Sequence, residues 1–527
     1  MTKKLKKLPI GIQTFQELRE DAYLYVDKTK EIHSLIQEGK AYFISRPRRF
    51  GKSLLISTLE QIYKGNKELF KNLYIYNTDY KWTKHPVIRL DFSSFNKRSR
   101  EELEQSLRDK LAKIAEDYQL KPIDENKLTT DYFKTLIQEL SKINQVVVLI
   151  DEYDSPLITH MGKNNELAIE MREFLKEFYA ILKSEDEYLK FVLLTGVSKF
   201  SKAGVFSGLN QLNDITMDTK YCNLVGWTQE ELEKNFLEYI EDLALIQKLT
   251  KKEIIEKIKY WYNGYQFSSN GEKRVYNPFS TLLLFLKKEF KFHWFESGTP
   301  SFLIQLMKEK NYNISKLENM EVGETAFSAY EIENLNPLAL LFQTGYLTIK
   351  ETYQDEEIIY KLSYPNYEVK KAFLDNLTRN YSGSNIEVNY INTAIRALGE
   401  NDLELFFQNL RVFFANIPYD IHLKKEAYYQ TIFYCIFSLI GLKIHAEIKT
   451  NIGRIDAVVE IDNNVYIFEF KLNASKEEAL AQIEEKKYFE SFLNKNKNIY
   501  LVGVEFRFDE QERNIGEWVM EEFNNGE

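Results

Sequence analysis

The stretch Ala41-Tyr-Phe-Ile-Ser-Arg-Pro-Arg-Arg-Phe-Gly-Lys-Ser-Leu-Leu55 reads as a short apolar strand, a basic loop and a helix that opens at Ser53. Gly51 lets the backbone approach a phosphate, Lys52 has the reach to meet its outer oxygens, and the Ser53 hydroxyl suits Mg²⁺. The free N–H groups at the helix start add to an anion site. The strict phosphate-loop pattern also asks for glycine five residues before Gly51, where the chain carries Arg46 followed by Pro47. The loop is therefore a variant, and a second feature has to support it.

That feature is Val146-Val-Val-Leu-Ile-Asp-Glu-Tyr-Asp154, an apolar run closed by acids. Such a run suits a buried parallel strand that delivers carboxylates to the sheet edge. There Asp151 is expected to hold Mg²⁺ and Glu152 to polarise the attacking water. A Gly-Lys-Ser or an acid at a strand end is each common by chance; the two in this order, both in strand contexts, are not. The expected ATP contacts are Arg48, Arg49, Phe50, Gly51, Lys52, Ser53 and Leu54, with Asp151 and Thr195.

Together with Leu8-Pro-Ile-Gly-Ile-Gln-Thr-Phe15 and Tyr25-Val-Asp-Lys-Thr29, the Arg46-Pro-Arg-Arg-Phe-Gly-Lys-Ser53 loop resembles the AAA-ATPase-like proteins that end in a PD-(D/E)XK nuclease domain. The Arg-Pro-Arg-Arg-Phe form of the loop is usual in that family. The resemblance extends over nearly the whole chain and implies two enzymatic sites.

A chain of 527 residues calls for two or three domains, and an apolar fraction of 44% with 36 Phe and 34 Tyr supplies packed cores. The net charge of −9 excludes a protein coated with basic surface, so a nucleic-acid site has to be a local patch. Cys222 and Cys435 form no metal pattern and suit a reducing compartment. The six histidines show no pair at helical spacing, which argues against zinc. The basic start lacks the apolar core of a signal peptide, and no run reaches the length of a membrane span. A cytoplasmic protein with no membrane partner is expected.

Along the chain, Tyr23 to Asp27 reads as a strand and Lys28 to Gln37 as a helix that Asp27 caps; contact of Asp27 or Lys28 with the nucleoside is the less favoured reading. Pro86–Phe92 and Phe191–Ser198 are further strands, separated by helices at Arg100–Tyr118, Asp131–Lys142 and Asn165–Lys183, which implies a parallel sheet. Thr195 ends the last strand, either facing the γ-phosphate or satisfying the strand end. Thr228-Gln-Glu-Glu-Leu232 opens a lid of helices with a capping box, and the Trp261–Phe267 aromatics are read as lid packing rather than base stacking. A helix and two strands between Pro337 and Tyr364 suggest a winged-helix-like unit that either binds DNA or joins domains.

The last part offers a helix at Lys424–Ile440, strands at Leu442–Lys449, Gly453–Ile461 and Val465–Lys471, a helix at Lys476–Leu493 and a strand at Ile499–Val504. This is the order of the restriction-endonuclease-like core. Glu469 and Lys471, two apart on one strand, share a face, while Phe468 and Phe470 pack behind. With Asp456 on the preceding strand they make a trio suited to phosphodiester hydrolysis: Asp456 and Glu469 to bind Mg²⁺ or Mn²⁺, Lys471 to orient the water. The resemblance adds Gln482, followed by Lys486, and the acid Glu426; Glu447 is a weaker candidate. The expected architecture is α/β throughout: a P-loop NTPase parallel sheet over 1–218, a helical lid and linking region over 219–385, and a restriction-endonuclease-like α/β domain over 386–527. Catalytic roles are expected for Glu152, Glu426, Asp456, Glu469, Lys471 and Gln482, and metal contacts for Ser53, Asp151, Asp456 and Glu469. The expected activity is an ATPase coupled to a Mg²⁺-dependent nuclease in mobile-element, defence or repair processes, with DNA before RNA as partner and a homo-oligomer compatible with the sequence. The alternative is a nucleotide-dependent switch or scaffold that grips nucleic acid without appreciable turnover. Arg172 and Arg274 are candidate arginine fingers that nothing singles out.

Overall fold

The computed structural model describes residues 5–124, 127–199, 205–206, 208–268, 273–294, 301–310, 312, 314, 317–327, 335–354, 357–382, 389–415, 432, 434–436, 438–439, 448–450, 455–461, 463–495, 497–508 and 513–523. The chain divides into two compact units, one of residues 1–306 with 319–369 and one of residues 307–318 with 370–527.

In the first unit, α1 (Phe15–Glu20) and α2 (Thr29–Glu38) precede β1 (Ala41–Ser45), α3 (Lys52–Tyr63), β2 (Val87–Asp91), α4 (Arg100–Asp117), α5 (Thr129–Ser141), β3 (Val146–Asp151), α6 (Ser155–Ile158), α7 (Asn165–Ser184), β4 (Leu189–Gly196) and β5 (Asn213–Asp214). The five strands form one parallel sheet in the order β2-β3-β4-β1-β5. All six residues of β3 are buried, which explains the unbroken apolar run. The helices carry the complementary pattern: Ser99 caps α4 by accepting from Glu102 N, and Leu103, Leu107, Leu111 and Ile114 give it one buried stripe. Because β4 lies between β1 and β3, the basic loop and the Asp151–Glu152 pair leave the sheet on either side of Thr195. Residues 23–28 form no strand, contrary to the one expected there; Leu24 N bonds instead to Lys7 O.

The lid contains α8 (Gln229–Asn235), α9 (Leu237–Gln247), α10 (Lys251–Tyr262), the short hairpin β6 (Tyr265–Gln266) and β7 (Arg274–Val275), and α11 (Pro278–Lys287). α8 starts with the expected capping box of Thr228 and Glu231. Trp227, Phe236, Ile240, Ile258, Tyr262 and Phe285 build its core, and Trp261 packs on Phe292 and Tyr367, so these aromatics serve packing. After α12 (Ser301–Glu309) come β8 (Glu321–Gly323), α13 (Pro337–Gln343), β9 (Thr348–Gln354) and β10 (Ile358–Ser363), with the three strands ordered β8-β10-β9. Every residue of α13 is buried, which leaves it no face to enter a DNA groove.

α14 (Tyr367–Ser382) leads into the second unit, where α15 (Asn389–Gly399), α16 (Leu403–Ala415), β11 (Ile448–Thr450), β12 (Ile455–Ile461), β13 (Asn464–Leu472), α17 (Lys476–Lys486), β14 (Asn498–Phe508) and β15 (Arg513–Phe523) follow. The sheet order is β11-β12-β13-β14-β15, with β13 and β14 parallel and the other neighbours antiparallel. The period of two along β13 sorts its side chains into two layers. Val465 and Ile467 pack with Leu480 and Ile483 of α17, while Phe468 packs against Phe406 and Phe407 of α16. The helix expected to Leu493 stops at Lys486, because Lys487 is left-handed at φ +51° and the chain tightens into a 3₁₀ stretch at Tyr488–Lys495. β15, which the sequence reading did not include, closes the sheet.

Candidate nucleotide and nuclease sites

The phosphate loop is held from outside at almost every residue. Arg46, standing where a glycine was expected, is wholly buried, and its Nη1 donates to Ser45 O at 2.8 Å and Thr216 O at 2.7 Å. Its guanidinium lies 4.3 Å from the centre of the Phe267 ring, and burial pushes its pKa down to about 10. The cation therefore braces the loop. Arg48 O accepts from Trp294 Nε1 at 3.2 Å, Arg49 lies over Phe279, and Phe50 is edge-on to Tyr265 and Phe267. Gly51 turns the chain at φ +93°, a conformation that favours glycine, and α3 begins at Lys52.

Lys52 is 5% exposed, and its Nζ donates to Arg46 O at 2.9 Å and Pro47 O at 3.1 Å. Burial lowers its pKa, and Glu152, Asp151 and Asp154 pull it back up. An ammonium on two carbonyls can move to a phosphate with little loss of hydrogen bonding. Beside it, Asp151 accepts from Thr195 Oγ1 at 2.5 Å and from Glu152 N at 3.1 Å. The Thr195 hydroxyl is thus engaged with the acid expected to hold Mg²⁺. Glu152 is left-handed at φ +49°, strain of a kind that collects at functional positions. Asp154 accepts from Val197 N and Ser198 N at 3.0 and 2.6 Å, tying the ends of β3 and β4, and burial raises its pKa to about 6.

A cavity of about 500 Å³ joins these parts. Arg48 to Leu55 and Glu152 line its loop end, and it continues as an apolar cleft between Pro9, Gly11 to Gln13, Leu24 to Val26 and Lys28 on one wall and Leu224 to Trp227 with Pro278, Phe279 and Leu282 on the other. Seven of the expected contacts, Arg48 to Leu54, line it; Asp151 and Thr195 pair beside it and do not. Lys28, not Asp27, takes the N-cap position of α2, without a side-chain cap bond; Asp27, one residue earlier, accepts from Thr29 N at 2.8 Å through Oδ1. Lys28 lines the cleft, yet its Nζ is committed to Asn223 O at 2.8 Å and to both oxygens of Glu231 at 2.7 and 2.6 Å. Arg172 pairs with Glu173 and Arg274 donates to Lys350 O, so both candidate fingers are engaged within the chain.

In the second unit Glu469 is 1% exposed and Lys471 Nζ lies 4.0 Å from its Oε1. Lys471 Nζ also donates to Gln482 Oε1 on α17. Three residues from two elements thus meet at one point. Gly503, the register partner of Glu469 on β14, makes this possible, because a Cβ there would stand 2.3 Å from Lys476 O and 2.8 Å from Leu480 N. A larger residue would push α17, and Gln482 with it, off the sheet. Asp456 is the register partner of Glu469 across β12 and β13. Glu426 and Glu447 lie outside the described residues.

Residues 9–206 match a family model described as a predicted AAA-ATPase, and residues 424–518 match the PD-(D/E)XK nuclease superfamily. An uncharacterized protein in the vnfD 5′ region of Azotobacter chroococcum mcd 1 is 37% identical over 531 residues, covering 96% of this chain and 97% of that protein. The chain belongs to the AAA-ATPase-like family that carries a PD-(D/E)XK nuclease domain. Both matched regions contain the clusters described above: the AAA-ATPase-like match spans the loop, Asp151, Glu152 and Thr195, and the nuclease match spans Asp456, Glu469, Lys471 and Gln482. Among the described residues no cluster of His, Cys, Asp and Glu forms a ready metal site, both cysteines are free, and no helix is long and apolar enough to cross a membrane.

What sequence reasoning missed in this AAA-ATPase-like protein are the partners fixed by tertiary packing: Asp154 as a β3–β4 tie, and Glu231 as the partner of Lys28. In the sequence Asp154 is one more acid of the run that closes β3, and Glu231 one half of a capping box. For the pairing of residues 203 apart no local signal exists.

Proposed function

We propose that this protein binds and hydrolyses ATP in the first unit and cleaves DNA with Mg²⁺ or Mn²⁺ in the second. The observation that carries the first half is the meeting of Lys52, Ser53 and Glu152 on one cavity of about 500 Å³, inside the range of about 300–1,000 Å³ typical of small-molecule sites. In this reading Lys52 leaves the two loop carbonyls for the β and γ oxygens. Ser53 and Asp151 offer the hard oxygen donors that suit Mg²⁺, and Thr195 holds the Asp151 carboxylate in place. Glu152, on its left-handed backbone, orients the attacking water. The apolar cleft accepts the base.

For the second half, Glu469 and its register partner Asp456 supply carboxylates for a divalent cation, which lowers the pKa of a bound water and offsets phosphate charge. Lys471, held between Glu469 and Gln482, orients that water or stabilises the pentacovalent oxygens. Glu426 is retained as a further acid. Residues 1–218 are assigned to the ATPase core, 219–385 to the lid and linking region and 386–527 to the nuclease, with assembly into a homo-oligomer, a cytoplasmic location and a role in mobile-element, defence or repair processes as part of the same proposal.

The test is a cleavage assay on linear duplex, circular duplex, single-stranded DNA and RNA, with and without ATP and Mg²⁺. Metal-dependent cleavage of DNA in preference to RNA is the expected result. No cleavage of any substrate under any of these conditions would reject the nuclease assignment.

A further inference from the structure

The apolar cleft beyond the phosphate loop has two walls from distant parts of the chain, the segment around Tyr25 and Val26 and the segment Leu224–Trp227 that leads into α8. One buried ion pair joins them. Lys28 Nζ reaches Glu231 at 2.7 and 2.6 Å and Asn223 O at 2.8 Å, filling all three of its donors, and Lys28 is 8% exposed. Glu231 in turn accepts from Thr228 N at 2.8 Å through Oε2, so the carboxylate that holds Lys28 also closes the capping box of α8. Separation of the walls breaks the ion pair, while the capping box, whose Thr228 and Glu231 both belong to the α8 segment, moves with its own wall.

We infer that the Lys28–Glu231 pair is a positioning clamp that sets the width of the base cleft, so that it governs affinity for the nucleoside part of the ligand and not for its phosphates. The inference rests on the proposal that a nucleoside triphosphate occupies this cavity. It follows from placement: Lys28 lines the cleft, while the anion-binding end is built by Arg48 to Leu55 and braced by Arg46, Asn277 and Trp294, none of which bonds to the clamp. Burial lowers the Lys28 pKa, and Glu231 offsets part of that loss. Loss of either partner leaves the other charge buried, so the walls part to admit water.

The experiment compares two probes on the full chain, ATP and inorganic tripolyphosphate, by calorimetry with Mg²⁺ present. Lys28→Met should weaken ATP binding about tenfold or more, while tripolyphosphate binds as it does to wild type; Lys28→Arg, which can still pair, should recover most of the ATP affinity. Unchanged ATP affinity in Lys28→Met overturns the inference. Equal loss of both ligands also overturns it, since the pair would then support the whole site. Should Lys28→Met fail to fold, Glu231→Gln is read by the same two ligands and the same criteria. If wild type binds neither ATP nor tripolyphosphate, the nucleotide proposal falls and the clamp with it, a result distinct from the other two.

Discussion

The two candidate sites, proposed for the same chemistry of water attacking a phosphorus centre, differ in construction. The nucleotide site is built from loops at the edge of a parallel sheet, with its key groups parked on one another: Lys52 on two carbonyls, Asp151 on Thr195. The nuclease site is built inside regular elements, with Glu469 and Lys471 two apart on β13 and Gln482 brought by α17 over Gly503. The first can rearrange around a ligand because its contacts are exchangeable. The second depends on a helix resting on a sheet, so it should be rigid and sensitive to packing.

The largest expected effect is at Lys52. Lys52→Ala should weaken ATP binding by roughly 100-fold, about 3 kcal/mol, the upper range for a charged hydrogen-bonding group, without lowering the thermal stability of the nuclease unit. Equal ATP affinity in calorimetry of variant and wild type would remove the loop from the account.

Glu152→Gln should keep ATP binding and lose hydrolysis by about 10²-fold or more, as loss of a water-orienting base does. The same variant tests whether the sites communicate. Held with ATP, it should cleave or bind DNA differently from the nucleotide-free protein at fixed salt; a tenfold preference of one state corresponds to about 1.4 kcal/mol. Retained turnover would reassign Glu152, and binding with no turnover even in wild type would favour the switch reading.

Packing sensitivity separates the two sites next. Gly503→Ala should destabilise the second unit by about 1–3 kcal/mol, the cost of overpacking, and slow cleavage through Gln482 while ATP turnover persists. Calorimetric unfolding together with both activity assays checks this; an unshifted unfolding transition with normal cleavage would show that α17 yields freely.

The smallest effect is a pH dependence from Asp154. Its folded-state pKa of about 6 exceeds the ordinary carboxylate value, so the folded chain holds this proton more tightly than the unfolded one. Its contribution to stability is present in full below about pH 4, declines as pH rises to about 6 and is flat above. Asp154→Asn, which still offers an acceptor to Val197 N and Ser198 N, should lack that decline in unfolding midpoints across this window. The same decline in both proteins would assign it to another group.

How much was legible follows the same division. The parallel sheet was readable because buried strands announce themselves as apolar runs such as Val146–Ile150, and the loop because its expected phosphate contacts are contiguous. That Glu469 and Lys471 share one face of β13 was readable from the period of two, with Phe468 behind them; that it packs on α16 is seen only in the structure. The segment Tyr23–Asp27 reads as a strand, but Leu24 and Val26 serve the lid core and, among the described residues, no strand pairs with it. Arg46 departs from the loop pattern, and its bracing role depends on Thr216 and Phe267, which no local pattern connects to it. The Lys28–Glu231 pair was hidden for the same reason.

The central claim is that one chain carries two hydrolytic sites with separate residues. It is tested most directly by measuring ATP hydrolysis and Mg²⁺-dependent DNA cleavage on the same preparations of wild type and Glu469→Ala. The account predicts that Glu469→Ala loses DNA cleavage while its ATP turnover stays within about twofold of wild type, because Glu469 belongs to the second unit and the nucleotide cavity is lined by the first. DNA cleavage at the wild-type rate by Glu469→Ala would contradict it.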